Sequence, residues 1–478
     1  MMTSKEYMES LRSMRTKVYA FGEKIEDVVS HPATAPHVRC AAMTYGLAHS
    51  ADGKPLLTAQ SHLTGDTINR FLHIHQSAAD LITKVKMLRF LSQKTGSCYQ
   101  RCVGFDGINA VYSTTYEIDS AKSTDYHQRF IEYLKQMQRK DLMICGAMTD
   151  SKGNRSLPPH QQPDPDVFVH VTERRKDGIV IRGSKQHQTG AVNSHEVLLM
   201  PTIALREPDK DFAVCCAVPA DAPGVTMVFG RQANDYRKLF NERTDMGNPA
   251  FGIVGGEAIV ILEDVFVPWE RVFMCGEYEF AGMLVERFAA FHRQNYGACK
   301  GGVSDIIIGA TALAAEMNGV EKASHVRDKL VEMMHLTETL YCCSIACSCE
   351  GTQTKSGSYL VDPLLANICK HNVTRLIYEI GRLSHDIAGG LIATIPSEKD
   401  FRNEEIGDLL RKHYAASSPA SADDRVRVCR LIENMTAGTA LVESMHGAGS
   451  PQAQRVMIYR QGNLEQKKNL ARVLCGIK

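Results

Sequence analysis

Val285–Gly302, VERFAAFHRQNYGACKGG, combines a helical period with a chemistry that a packing helix has no use for. Val285, Phe288, Ala289, Phe291 and Ala298 recur at helical spacing with no proline among them, which predicts a helix interrupted or tightly packed at Gly301-Gly302. At about 100° per residue, His292, Tyr296 and Cys299 fall within roughly 60° of one another, with Lys300 at the edge of that face. An imidazole, a phenol and a thiol on one stripe, beside an ammonium, is not a normal core stripe. Taken alone, a His-x6-Cys pair in a chain of 15 Cys and 18 His is as readily coincidence, because buried cysteines mostly behave as small hydrophobes.

The pair gains meaning from Gly96-Ser97-Cys98-Tyr99-Gln100-Arg101-Cys102 far upstream. On one helix, residues at Cys98 and Cys102 spacing point the same way. Two thiolates from one helix, with a thiolate and an imidazole from another, make four soft ligands. Such a set suits a tetrahedral zinc or an iron–sulfur cluster in which His replaces one Cys. The denser run Tyr341–Cys349 is a rival, but it lies among small residues where Cys packs like Ala, and it contains no His. Cys-x-x-Cys spacings are absent, which disfavours zinc ribbons and thioredoxin-like motifs.

The chain has 478 residues, too many for one core. Its formal net charge is +1 with acids and bases interspersed, so neither nucleic acid nor a membrane surface is an expected partner. The charged, amphipathic N-terminus lacks the apolar core of a signal peptide, and no window approaches 18 uncharged apolar residues. An odd cysteine count in a long chain argues against a disulfide framework and for a reducing, cytoplasmic compartment.

Three domains are predicted: a helical one over 1–141, a β-domain over 142–275 and a helical one over 276–478. In the first, Ser4–Val29, Asp66–Lys94 and Asp125–Lys140 show helical periodicity. Gly104–Gly107 and Tyr112–Tyr116 read as loops, and His31-Pro32 with His37 reads as a structural connector. The middle region alternates: Asp166–Val171 and Ile179–Ile181 form a hairpin about Lys176-Asp177-Gly178, and Val197–Met200, Phe212–Val218, Val225–Phe229 and Ala258–Leu262 read as strands. Beyond Met274 helices are expected at Ala281–Asn295, Val303–Met317, Lys322–Cys349, Asp362–Ala388, Glu404–Lys412, Ser421–His446 and Ala453–Asn463. This α+β order, helices then sheet then helices, is the layout of the acyl-CoA dehydrogenase fold, although order alone would not single it out.

Two polar turns could hold a flavin edge or pyrophosphate, Cys145–Asp150 with Lys152–Ser156, and Lys185–Ala191; ordinary loops share their chemistry. Gly255-Gly256 and Gly389-Gly390 permit close backbone approach, but no GxGxxG follows a strand, which excludes a Rossmann dinucleotide site. Glu257 before an apolar strand and Glu443 at a helix end are each either paired or candidate acids and bases.

Together, Cys98-x3-Cys102, His292–Lys300, Met148–Gly153 and His446-Gly447-Ala448-Gly449-Ser450-Pro451-Gln452-Ala453-Gln454 resemble the 4-hydroxybutyryl-CoA dehydratase (vinylacetyl-CoA Δ-isomerase) family over essentially the whole chain. These are FAD and [4Fe-4S] enzymes of the acyl-CoA dehydrogenase fold. The resemblance implies that Cys98, Cys102, Cys299 and His292 hold the cluster. It implies that Met148, Thr149, Asp150, Lys152, Asn154, Arg155 and Ser156 bind FAD with Thr189, Gly190, Ala191 and Val192, and that Gly389 and Gly390 reach a neighbouring subunit's flavin. Gln100, Glu257, Tyr296, Lys300 and Glu443 would lie on the substrate side. Between Gly351 and Asp362 the chain is shorter than the family pattern, which touches a loop and no ligand.

The implied reaction is a radical dehydration of a CoA thioester by a homo-oligomer, a tetramer built from dimers. His292 would double as the base at the α-carbon, Tyr296 and Glu443 would protonate the departing hydroxyl, and Lys300 would hold negative charge nearby. The related 4-hydroxyphenylacetate 3-monooxygenase flavoproteins share the fold without those ligands, so a two-component flavin monooxygenase is the rival enzyme. A structural zinc protein with a helical binding surface is the third reading.

Overall fold

The computed structural model describes residues 1–252, 255–417 and 419–477. Its N-terminal region runs α1 (Ser4–Ser13), β1 (Val18–Ala20), β2 (Glu23–Ile25), α2 (Ala35–Leu47), α3 (Lys54–Leu57), β3 (Thr58–Gln60), β4 (Thr67–Asn69), α4 (Ala78–Thr95), α5 (Cys102–Lys122) and α6 (Tyr126–Lys140). The predicted Ser4–Val29 helix stops at Ser13. Beyond it the sequence alternates, Phe21 and Gly22 turn the chain at φ 54° and 82°, and β1 pairs with β2. The predicted Asp66–Lys94 helix starts only at Ala78, capped by Ser77.

Gly104–Gly107 and Tyr112–Tyr116 are not loops but the body of α5. Its glycines let helix and sheet touch: a Cβ on Gly104 would lie 2.0 Å from the Ile144 carbonyl oxygen, and one on Gly146 would lie 2.5 Å from that of Val103. Close packing, not chain reversal, is what these glycines serve.

The middle region contributes β5 (Ile144–Ala147), β6 (His170–Arg174), β7 (Gly178–Thr189), β8 (Glu196–Leu199), β9 (Val214–Pro219), β10 (Val225–Phe229), α7 (Asp235–Leu239), β11 (Glu257–Pro268) and β12 (Val272–Cys275). They form a six-stranded sheet, β2-β1-β10-β11-β7-β6, and a four-stranded one, β12-β9-β8-β5. The long β7–β11 pair carries two register shifts, and one core cluster runs from Tyr7 through both sheets to Ala298.

The remainder is helical: α8 (Ala281–Met317), α9 (Ser324–Cys349), the short pair β13 (Thr352–Gln353) and β14 (Tyr359–Leu360), α10 (Pro363–Ala388), α11 (Gly407–His413), α12 (Ala422–Thr436), α13 (Thr439–His446), α14 (Pro451–Gln461) and α15 (Leu464–Cys475). The two helices predicted on either side of Gly301-Gly302 are one helix of 37 residues. Gly302 is there for contact, since its Cβ would meet the Arg89 carbonyl of α4 at 2.4 Å. The predicted Ser421–His446 helix breaks at Gly438, whose φ is 60°, into α12 and α13.

Tyr278–Met317 is long and apolar enough to cross a membrane, with a window of mean hydropathy 1.3 that is 56% buried, a span not expected from the sequence. Its apolarity is accounted for by the helices α4, α5, α9, α10 and α12 packed around it. All fifteen cysteines are free.

Candidate active site

One face of α8 and the loop leading into α5 enclose a cavity. His292, Tyr296, Cys299 and Lys300 line it from α8, and Cys98 and Cys102 line it from the opposite side. The two thiols do not share a helix. Cys102 is the first residue of α5, Cys98 precedes it, and Gln100 at φ 68° bends the chain between them. Burial pushes the Cys98 and Cys102 thiols well above their ordinary range. It pushes Cys299 up to about 11, against the pull of the Lys300 ammonium.

His292 Nδ1 is 2.8 Å from Asp106 Oδ2. Asp106 also accepts from Lys84 Nζ at 2.6 Å and from Asn295 Nδ2. Neither Asp106 nor Asn295 stood out in the sequence. Asp106 hid inside Gly104-Phe105-Asp106-Gly107, whereas Asn295, one turn beyond His292, could have been found by helical spacing.

Across the cavity α13 supplies Glu443. Lys300 Nζ donates to its Oε2 at 2.7 Å, and the Tyr296 hydroxyl reaches its Oε1 at 3.4 Å. Burial raises the Glu443 carboxyl, but the charge and hydrogen bond of Lys300, with Lys370 and His292, outweigh it and hold the group below its usual value. Lys370, also missed, lies 4.0 Å over the Tyr296 ring and donates to the Ser444 carbonyl. Burial brings its ammonium down to about 7. The Tyr296 phenol is raised well above its usual value by burial and by Glu443.

Glu257 and Gln100 stand behind the wall and not in it. Thr189 and Gly255 line the cavity, and Thr189 Oγ1 donates to Glu257 Oε1 at 3.4 Å. Burial, then the charge of Glu443, pushes the Glu257 carboxyl up to about 7. Gln100 is fully buried, with its Nε2 3.3 Å from His37 Nδ1. His37, read as part of a connector, therefore belongs to the site's supporting layer.

Against known proteins, the N-terminal model of the 4-hydroxyphenylacetate 3-hydroxylase family matches residues 3–274 and its C-terminal model residues 281–476. The 4-hydroxybutyryl-CoA dehydratase/vinylacetyl-CoA-Δ-isomerase of Clostridium aminobutyricum is 56% identical over 100% of both chains. The chain belongs to the 4-hydroxybutyryl-CoA dehydratase branch of the 4-hydroxyphenylacetate 3-hydroxylase family. Among solved structures, an oxygen-tolerant archaeal 4-hydroxybutyryl-CoA dehydratase from N. maritimus superposes with a TM-score of 0.97 at 52% identity, covering 100% of this chain and 95% of that one. The FAD complex of the oxygenase component (HpaB) of 4-hydroxyphenylacetate 3-monooxygenase gives 0.87 at 24% identity over 99% and 98%, a likeness of fold. So does glutaryl-coenzyme A dehydrogenase, with 0.52 at 10% identity over 82% and 81%.

In this family member the expected flavin segments divide. Asp150 is engaged by the protein: it accepts from Val169 N at 2.9 Å and from Thr202, and pairs with Lys185 at 2.7 Å. Asn154 holds its own turn, bonding Ser156 through Oδ1 at 3.1 Å and Gln162 through its backbone N–H at 3.0 Å. Asp150 and Ser156 are thus engaged within the loop, whereas the exposed Asn154 keeps its side-chain Nδ2 without a protein acceptor among the described residues. Met148 gives its carbonyl to Lys185 at 2.9 Å. Lys152, at φ 71°, and Gly153, at φ 45°, turn the loop, and burial and the nearby Arg155 lower the Lys152 ammonium. Thr189 lines the cavity. Gly190 at φ 75° approaches Gln100, and Ala191 and Val192 are buried behind it. Gly389 and Gly390 are exposed with nothing within 4 Å of a Cβ, and they do not line the cavity of their own chain.

Proposed function

We propose that this chain dehydrates 4-hydroxybutyryl-CoA to crotonyl-CoA and isomerises vinylacetyl-CoA to crotonyl-CoA, the activities named for its 56%-identical relative. The observation that carries the reading is one cavity lined by Cys98, Cys102, Cys299 and His292 together with Tyr296, Lys300 and Glu443. An acyl-CoA dehydrogenase-like arrangement of helical, β and helical domains, divided near 141 and 275, belongs to the same proposal.

The donor set fits an iron–sulfur cluster. Among the described residues no three His, Cys, Asp or Glu side chains converge as a single ion requires. A [4Fe-4S] cluster would give each ligand its own iron, so its donors can stand farther apart around a cavity than those of one tetrahedral zinc. Burial outweighs the pull of Lys300 and Lys84 and keeps these thiols protonated, and binding iron would replace their protons. FAD is supported by the FAD-bound HpaB relative, with Thr149, Lys152, Asn154 and Arg155 as the side-chain donors left, among the described residues, to meet it. Bound together, the two groups would supply the one-electron chemistry that makes the unactivated β-hydrogen removable.

The chain's own residues do the rest. Overall, protons leave the α- and β-carbons, the γ-hydroxyl departs as water and the γ-carbon gains a proton. His292 faces the cavity and is suited to take the α-proton on Nε2 whenever that nitrogen is not on a metal; Glu257, poised near neutrality behind Thr189, is the alternative base, acting through that hydroxyl. Glu443 is held ionised chiefly by the Lys300 ammonium, so Tyr296, raised and hydrogen-bonded to it, is the better proton donor to the departing hydroxyl. Lys300 supplies positive charge where oxygen gathers negative charge. Anaerobic incubation with 4-hydroxybutyryl-CoA should yield crotonyl-CoA. Hydroxylation of a phenol with reduced FAD and oxygen, and no crotonyl-CoA, would support the monooxygenase alternative instead.

A further inference from the structure

Asp106 is a buried charge that the proposed reaction does not consume. Its side chain and that of Lys84 are both 0% exposed, with Lys84 Nζ 2.6 Å from Oδ1, so the pair carries no net charge. The other oxygen, Oδ2, meets His292 Nδ1 at 2.8 Å and Asn295 Nδ2. A carboxylate accepts hydrogen bonds and does not donate them, so each group facing it must donate. The hydrogen of a neutral His292 therefore sits on Nδ1, and Asn295 must turn its nitrogen, not its oxygen, toward Asp106. What remains on each is an acceptor. No protein donor reaches His292 Nε2 among the described residues, and buried Asn295 Oδ1 has no partner there either. Both residues line the cavity.

We propose that Asp106, its charge balanced by Lys84, is a positioning residue that fixes the His292 tautomer and the Asn295 amide orientation. The cavity is thereby presented with two acceptors: the Nε2 lone pair for a metal, and Asn295 Oδ1 for a hydroxyl donor such as the γ-hydroxyl of the substrate. The inference rests on the reading of His292 as an iron ligand. A simple staple between α4 and α5 would need only Lys84 and Asp106; it would not gather two cavity-lining donors onto the same oxygen. A carboxylate behind a metal-binding imidazole orients the ring and sets which nitrogen is bare.

The test uses anaerobically purified holoenzyme grown with histidine carrying 15N at either Nδ1 or Nε2, read by electron–nuclear double resonance of the reduced cluster. Strong, directly bonded coupling is expected from the Nε2 label; strong coupling from Nδ1 would overturn the inference, and this arm needs no variant. Asp106→Asn replaces one acceptor oxygen by an NH2 group that must turn away from the Lys84 ammonium and toward His292. Nδ1 then accepts, and Nε2 takes the hydrogen. That variant should lose the histidine coupling and release iron to a chelator about 10- to 100-fold more readily. Unchanged coupling and iron retention in Asp106→Asn would sink the positioning role alone. Wild-type protein with no iron, or with iron and no histidine coupling, would sink the ligand reading of His292 and this inference with it.

Discussion

Glu257 opens β11 with its carboxyl pushed from its ordinary 4.5 up to about 7 by burial and by the charge of Glu443. The folded protein therefore holds a proton there that the unfolded chain releases. Between about pH 4.5 and pH 7, stability falls as pH rises, because the folded state binds more protons in that window; the full cost is up to about 3 kcal/mol. Glu257→Gln has no charge to bury. Its melting temperature relative to wild type should climb as the pH is raised through that window and level off above it; a difference that stays flat would contradict the assignment. At His292, substitution by Cys offers a fourth thiolate, an arrangement stable for [4Fe-4S]. His292→Cys is expected to keep its iron and lose solvent deuterium incorporation at the α-carbon, since a thiolate held on iron cannot take a proton there. A full complement of iron with normal exchange would move the base to Glu257. The spacing of His292, Tyr296, Cys299 and Lys300 made that face readable because a helix converts sequence distance directly into direction. Asp106 and Lys370 were not readable, since they act from α5 and α10, which only folding brings to α8, and His37 was not, since it acts through Gln100.

Two glycines of α8 separate packing from propensity at the scale of the element. A Cβ on Gly302 would meet the Arg89 carbonyl at 2.4 Å and Ser92 Cβ at 2.8 Å, whereas one on Gly309 meets nothing within 4 Å. Gly302→Ala must push α8 off α4 and should cost about 1–3 kcal/mol. Gly309→Ala should gain about 0.5–1 kcal/mol from helix propensity. Denaturant unfolding of the pair checks both signs, and a harmless Gly302→Ala would contradict the close α4–α8 contact. The same physics explains which elements were legible. Val225–Phe229 was predicted with its observed bounds because alternation marks a strand with one buried face. The helix α5 was mistaken for two loops because Gly104 and Gly107 break a helical pattern in sequence while serving a tertiary contact that sequence does not display. In Ser4–Val29 the early period carried the prediction past Ser13, where the alternation of β1 takes over.

On the whole molecule, apolar side chains of α15 and its tail stand in solvent: Leu470 is 62% exposed, Val473 78%, Leu474 88% and Ile477 62%. Gly389-Gly390, expected to reach a flavin, lies open and away from its own chain's cavity. Both features suit an assembly in which one chain covers another. Light scattering should give a dimer or larger species; a monomer that retains FAD would count against subunit-completed flavin sites. The mixed α+β class and the helical C-terminal region were legible from periodicity. The contribution of β1 and β2 to the middle sheet was not, because pairing with β10 joins residues some two hundred positions apart in the chain. What the cavity between α5 and α8 holds decides the chemistry. Iron, sulfide and flavin analysis of anaerobically purified protein should find a brown protein with about four irons and one FAD per chain. A yellow, iron-free protein with full dehydratase activity would contradict it.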